Sequence, residues 1–113
     1  RPVALTPTID EDATGALTPA QTTELLQIVR EAISNSLRHG EATELTVRLH
    51  RNDREIGLLV QDNGAGFTPA TNGGGFGLGN MQARAEQLRA TLRIDSQPNT
   101  GTRVIVTLPL ETA

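Results

Sequence analysis

A glutamate, an asparagine and a histidine recur at four-residue intervals in Glu31-x-x-x-Asn35-x-x-x-His39. Downstream an aspartate opens Asp62-Asn63-Gly64-Ala65-Gly66-Phe67, and a glycine-rich run follows, Gly73-Gly74-Gly75-Phe76-Gly77-Leu78-Gly79-Asn80-Met81. Gly101-Thr102 comes last. On a helix turning about 100° per residue, positions four apart drift by only roughly 40°, so Glu31, Asn35 and His39 share one stripe, with Arg38 beside Glu31. A carboxylate and an amide on one stripe are ligands for a hard cation, which prefers oxygen donors. A carboxylate at Asp62 can accept a hydrogen bond from an exocyclic amine. The glycines beside it allow close backbone approach and positive φ.

Each motif also has a plainer reading. Glu31 and Asn35 on an isolated helix would be solvated surface, and His39 a charge favoured by the helix C-terminus. Asp-Asn-Gly is a turn composition anywhere. The glycine run could be a linker, although Leu78 and Met81 would anchor its end to a core. What favours chemistry is the joint occurrence and order of the four: together they supply the parts of an ATP site that is not a P-loop. His50 falls on the exposed parity of its strand and is read as surface.

The elements that must position these residues are legible from pattern. Thr18-Pro19-Ala20-Gln21 is a helix start with a capping Thr, a Pro at the first helical position and a Gln three residues on. Gly40 marks the stop, giving a helix from Pro19 to His39. Leu25, Leu26, Val29, Ala32, Ile33 and Leu37 are expected to face the core. Leu45, Val47 and Leu49 alternate with Thr46, Arg48 and His50, the signature of a strand with one buried face. Ile56 to Val60 is apolar on both parities, as an interior strand would be, and Asn52-Asp53 is the turn between the two. After a loop from Asp62 to about Gly77, a second helix spans about Leu78 to Ala90, with Leu78, Met81, Ala85 and Leu88 on one face. Thr91 to Asp95 and Thr102 to Leu108 close the sheet around a Pro98-to-Gly101 turn. Val3 to Ile9 is an edge-strand candidate in a polar N-terminal segment, residues 1–17. Residues 18–110 form the domain and 111–113 a tail. The order β-α-β-β-α-β-β predicts an α/β two-layer sandwich with helices on one face of a mixed, mostly antiparallel sheet.

Composition narrows the function. A chain of 113 residues makes one domain, burying roughly 65% of its unfolded surface. All ten basic residues are arginine, which excludes the lysine of a P-loop and a lysine Schiff base. There is no cysteine, hence no disulfide or thiolate metal site, in keeping with a reducing compartment. A net charge of −3 leaves no footprint for nucleic acid. With no Trp or Tyr, only Phe67 and Phe76 could stack on a base. No apolar run approaches the roughly 20 residues of a membrane span. The chain opens on Arg1 rather than Met, so a piece of something longer is expected.

Glu-x-x-x-Asn, Asp-x-Gly-x-Gly, Gly-x-Gly-Leu and Gly-Thr, in this order on helix, loop, loop and strand, resemble the gyrase/Hsp90/histidine-kinase/MutL ATPase superfamily and its Bergerat-type ATP-binding fold. The resemblance runs from Thr18 to Pro109. Ile28 to His39, Gly77-Leu78-Gly79-Asn80-Met81 leading to Arg84-Ala85, and the ending Gly101-Thr102-Arg103-Val104 to Leu108-Pro109-Leu110 are similar to sensor histidine kinases of the nitrate-sensor and DesK-like subgroup. The resemblance implies an ATP- and Mg²⁺-binding catalytic domain. Asn35 would hold the Mg²⁺ that bridges the phosphates, and Glu31 would be the catalytic acidic residue near the γ-phosphate. Asp62 would hold the adenine amine, with Thr102 beside it and Gly64 and Gly66 shaping the pocket. Gly75, Gly77, Leu78 and Gly79 would close over the phosphates, and Arg38 and His39 would supply positive charge.

Such kinases phosphorylate a histidine on a dimerisation helix, and neither His39 nor His50 lies in that context. The acceptor and dimerisation domain is therefore expected outside this chain, the fragment itself monomeric, and a response regulator downstream. The domain is expected in the cytoplasm, whether or not its parent is membrane-anchored. Serine kinases that bind a sigma factor, built on the same fold, are the nearest alternative; a non-catalytic interaction module is the other.

Overall fold

The computed structural model describes residues 3–38, 42–65, 78–97 and 99–110. Its elements run β1 (Ala4–Ile9), α1 (Glu11–Gly15), α2 (Pro19–Arg38), β2 (Glu44–Arg51), β3 (Glu55–Asp62), α3 (Leu78–Gln87), β4 (Thr91–Gln97) and β5 (Gly101–Pro109). The five strands form one sheet in the order β1-β2-β3-β5-β4. β1 pairs with β2 in parallel, and every other pairing is antiparallel. This is the mixed, mostly antiparallel sheet that the sequence pattern implies, with β1 at its edge.

The sheet is apolar on one face because three strands alternate in phase. Val47 pairs with Val60 and Val60 with Val104; Leu49 pairs with Leu58 and Leu58 with Val106. These side chains are buried together with Leu25, Ile28 and Ala32 of α2, Met81 and Ala85 of α3, and Ala13 of α1. All the helices therefore lie on that face. A period-2 strand pattern fixes this register, since a one-residue slip would turn every apolar side chain to solvent.

The start of α2 is a reciprocal capping box: Gln21 N–H donates to Thr18 Oγ1 (3.1 Å), and Thr18 N–H donates to Gln21 Oε1 (2.8 Å). The helix is rotated from the expected orientation. Ile28 is fully buried at the centre of the contact, whereas Leu26 and Leu37 are 55% and 52% exposed. The buried stripe is Leu25, Ile28, Ala32, Asn35 and Ser36, so two polar residues lie on the core face itself, not along its border. Val29 and Ile33 are half-buried against it, as expected. Residues 39–41, including the stop signal at Gly40, lie outside the described residues.

Two further differences have local causes. α1 was not expected: its five residues carry one buried apolar side chain, Ala13, and its signal is Asp10, whose side chain accepts from Asp12 N–H (3.0 Å). α3 ends at Gln87 rather than Ala90 because the chain turns over at Arg89, φ 59°. Ala90 N–H reaches back to the Ala85 carbonyl (2.9 Å), closing a Schellman-type cap with an arginine where glycine is usual. Met81 and Ala85 are fully buried and Leu88 packs against the core. The side chain of Leu78 lies outside the description. Asn52 closes the β2–β3 turn as expected, its Oδ1 accepting from the backbone N–H groups of Arg54 (2.8 Å) and Glu55 (2.9 Å).

Candidate nucleotide site

β3 delivers Asp62 to the end of the sheet, in register with Leu45 of β2 on one side and Thr102 of β5 on the other. Its side chain is 7% exposed, so every lone pair must be accounted for. Oδ1 accepts from Gly64 N–H (2.8 Å) and from Thr102 N–H (3.2 Å). Oδ2 accepts from the hydroxyl of Ser36, which reaches it from α2. The carboxylate is thus held from three elements at once: the glycine turn that follows it, the last strand, and the long helix.

The surrounding glycines have definite tasks. Gly64 is buried and donates its N–H to Asp62. Gly101 has φ 92°, and a Cβ there would lie 2.2 Å from the Asp62 carbonyl oxygen. Only glycine lets β5 begin so close to the end of β3. Asn63 fixes the other flank: its Oδ1 accepts from Thr43 N–H (3.0 Å) and Glu44 N–H (2.9 Å), and its Nδ2 donates to Thr43 Oγ1 (3.0 Å). The motif Asp62-Asn63-Gly64 therefore stitches β2, β3 and β5 together at one end. Thr102 is half-buried, its Oγ1 2.7 Å from Ser96 Oγ of β4.

A cleft of about 590 Å³ lies at this end of the sheet, lined among the described residues from both strand parities: Gln61, Arg93, Asp95 and Arg103 from one, Asp62 and Thr102 from the other. Its size falls within the roughly 300–1,000 Å³ of small-molecule sites. Across the helix layer, Asn35 is buried (8% exposed), one residue from Ser36, and Glu31 is half-buried one turn earlier. Asn35, Asp62, Gly64 and Thr102 are thus gathered around one end of the sheet. Arg38 is exposed at the end of α2. Gly79 is exposed in the first turn of α3, with Leu78 opening that helix. His39, Gly66, Gly75 and Gly77 lie outside the described residues. α3 is joined to α2 by an ion pair, Arg84 Nη1 to Glu24 Oε1 at 3.2 Å.

Sequence reasoning missed Ser36, Asn63 and Ser96. Ser36 falls eleven positions after Leu25, the core phase of α2, and centring the stripe on Ile28 would have found it. Ser96 follows Leu92 and Ile94 on the parity that turns toward the helices. Asn63 carries no such signal, since its partners are backbone groups distant in sequence.

A profile of the histidine kinase-, DNA gyrase B- and HSP90-like ATPases matches residues 20–112, and the chain belongs to that family. It is 42% identical over 88 residues to the nitrate/nitrite sensor protein NarX of Escherichia coli (strain K12). It is 45% identical over 87 residues to the sensor protein VraS of Staphylococcus aureus (strain COL). These alignments cover 77% and 76% of this chain but only 15% and 25% of the two relatives, so the chain spans a small part of their length. Among solved structures, the blue-light activated histidine kinase EL346 of Erythrobacter litoralis superposes with TM-score 0.81 at 20% identity, over 97% of this chain and 36% of that one. The ATP-binding domain of PrrB from Mycobacterium tuberculosis superposes with TM-score 0.68 at 23% identity, over 80% of this chain and 69% of that one. The family expected from the four motifs, and the α/β fold expected from the strand and helix pattern, are both met.

Proposed function

We propose that this chain is the catalytic domain of a two-component sensor histidine kinase, binding ATP with Mg²⁺ and presenting its γ-phosphate to a histidine on a separate dimerisation domain. The observation that carries the reading is the Asp62 carboxylate, buried at the edge of the cleft and fixed by three donors. A purine amine is a suitable fourth partner for it. Gly64, Gly66 and Thr102 shape the pocket around the base.

The donor set suits magnesium. Among the described residues no three His, Cys, Asp or Glu side chains gather as an all-protein metal cage requires. Mg²⁺ in phosphoryl-transfer sites is held by one or two protein oxygens plus the substrate phosphates. The Asn35 amide oxygen is such a ligand, with Glu31 one turn away to orient a water or act as base. When bound, the ion neutralises phosphate charge, which is most of what phosphoryl transfer asks of a protein. Arg38 and His39 add cationic charge in a chain without lysine. Gly75, Gly77, Leu78 and Gly79 are read as the cover for the phosphates, Gly75 and Gly77 lying outside the described residues; the N-terminus of α3, with Leu78 and Gly79, is suited to an anion. Partners are ATP, the dimerisation domain and a response regulator; nucleic acid is not one. The domain itself is a cytoplasmic monomer, and among the described residues no helix is long and apolar enough to cross a membrane.

The test has two parts. Calorimetric titration of the chain with Mg·ADP should give one site, and Asp62→Ala should abolish it without unfolding the protein. The full-length gene product, given labelled ATP, should acquire an acid-labile, base-stable phosphohistidine. Acid-stable phosphoserine on a sigma-factor regulator would instead assign the serine-kinase alternative, and no adenine-nucleotide binding at all the interaction module.

A further inference from the structure

An ionised carboxylate offers about four lone-pair sites. In Asp62 three are taken: two on Oδ1, by Gly64 N–H and Thr102 N–H, and one on Oδ2, by the Ser36 hydroxyl. One acceptor site on Oδ2 remains. Ser36 has a second acceptor within reach, the Ala32 carbonyl one helical turn back at 3.1 Å. A hydroxyl has one hydrogen and serves one acceptor at a time. Facing an ionised carboxylate it donates there, because the charge-assisted bond is the stronger. Donating to Ala32 instead would leave its own lone pairs free to accept. Ser36 is 4% exposed, so bulk solvent offers it no third partner.

We propose that Ser36 determines the base specificity of the nucleotide site, through the direction in which its hydroxyl points. With aspartate at position 62 the hydroxyl donates, holding Oδ2 so that one acceptor site faces the ligand, which selects a purine bearing a 6-amino group. With an amide at position 62 the same hydroxyl turns to Ala32. Oδ1 of the amide stays on the two backbone N–H groups, and Nδ2 donates one hydrogen to Ser36 and the other to the ligand. The site then presents a donor, which selects a 6-oxo purine. This rests on the nucleotide reading given above and deepens it: Ser36 is a positioning residue acting through position 62, not a contact to phosphate or metal. A simple fastener between α2 and β3 would affect all nucleotides alike.

The experiment is competitive titration of the chain with Mg·ADP and Mg·IDP, read as the ratio of the two affinities. The native chain should favour ADP at least tenfold. Ser36→Ala should narrow that ratio about fivefold or more, because the loosened carboxylate admits a water that can serve a 6-oxo group. Ser36→Thr, which keeps the hydroxyl, should restore it. Asp62→Asn should invert the preference toward IDP, and adding Ser36→Ala to it should bring the ratio back near one. The proposal is overturned if Ser36→Ala weakens both nucleotides equally with the ratio unchanged, or if Asp62→Asn has the same ratio with and without Ser36. Should Asp62→Asn fail to fold, the Ser36→Ala and Ser36→Thr ratios decide by themselves. A native chain that binds both nucleotides equally sinks the specificity claim alone; one that binds neither sinks the nucleotide reading as well.

Discussion

Replacing Gly101 by alanine should damage the fold and the site together, by an amount the geometry lets one bound. The residue has φ 92°, outside the range that side-chain-bearing residues adopt readily, and holding one there costs about 1–3 kcal/mol. The added Cβ would lie 2.2 Å from the Asp62 carbonyl oxygen, 3.1 Å from its carbonyl carbon and 3.2 Å from Asn63 Cα. All three are backbone atoms, so none can swing aside as a side-chain tip would. Relieving the overlap means parting β5 from β3 at their shared end, a further cost of about 1–3 kcal/mol typical of overpacking. Loss of glycine's freedom in the unfolded chain returns about 0.4–1 kcal/mol. The net expectation is a loss of roughly 2–4 kcal/mol, or roughly 10–20 °C in Tm for a domain of this length. Urea denaturation followed by circular dichroism measures it. The amide resonance of Thr102 should shift as its bond to Asp62 lengthens, and Mg·ADP affinity should fall. A destabilisation under about 1 kcal/mol, with Thr102 unmoved, would refute the claim that this glycine sets the approach of the two strands.

Three other perturbations test separate joints. Arg89→Gly should stabilise the protein by about 0.5–1 kcal/mol in the same urea assay, because an exposed arginine now occupies a left-handed cap position. Asn63→Ala removes an acceptor shared by two backbone N–H groups at the start of β2. Because these bonds are exposed and water can replace the acceptor, it should cost about 0.5–1.5 kcal/mol and speed hydrogen exchange at Thr43 and Glu44. Asn35→Ala should leave the circular dichroism spectrum native while abolishing the Mg²⁺ dependence of nucleotide affinity; unchanged titrations with and without Mg²⁺ would remove Asn35 from the metal.

The sequence made the fold legible wherever the physics was local. Thr18 and Gln21 announce the helix start because capping is a contact between neighbours. β2 and β5 announce themselves because each alternates, and β3 because its short run is apolar on both parities. What escaped depends on distant partners. The rotation of α2 is set by Ile28 fitting the sheet, which leaves Leu26 outside despite an equal hydrophobic claim. α1 is one turn long and has a single apolar residue, too little for any periodicity. The motifs singled out Asp62, Asn35 and Thr102 as candidates, but not the groups that hold them. Ser36 and Ser96 are ordinary serines until the sheet and helix are assembled, when they are found within hydrogen-bond reach of Asp62 and Thr102 respectively.

The position of β5 bears on how this protein is made. The last strand to be synthesised lies not at a margin of the sheet but between β3 and β4. Until residues 101–109 have left the ribosome, β3 and β4 each stand with an open edge, and Asp62 lacks the Thr102 N–H that holds its carboxylate. Two of the four pairings, β1 with β2 and β3 with β5, join segments far apart in sequence, an arrangement that slows folding and prolongs exposure of unpaired strand edges. A nascent chain halted just short of Gly101 is therefore the species most in need of a chaperone. Once β5 is in place, both of those edges are paired and that N–H is supplied.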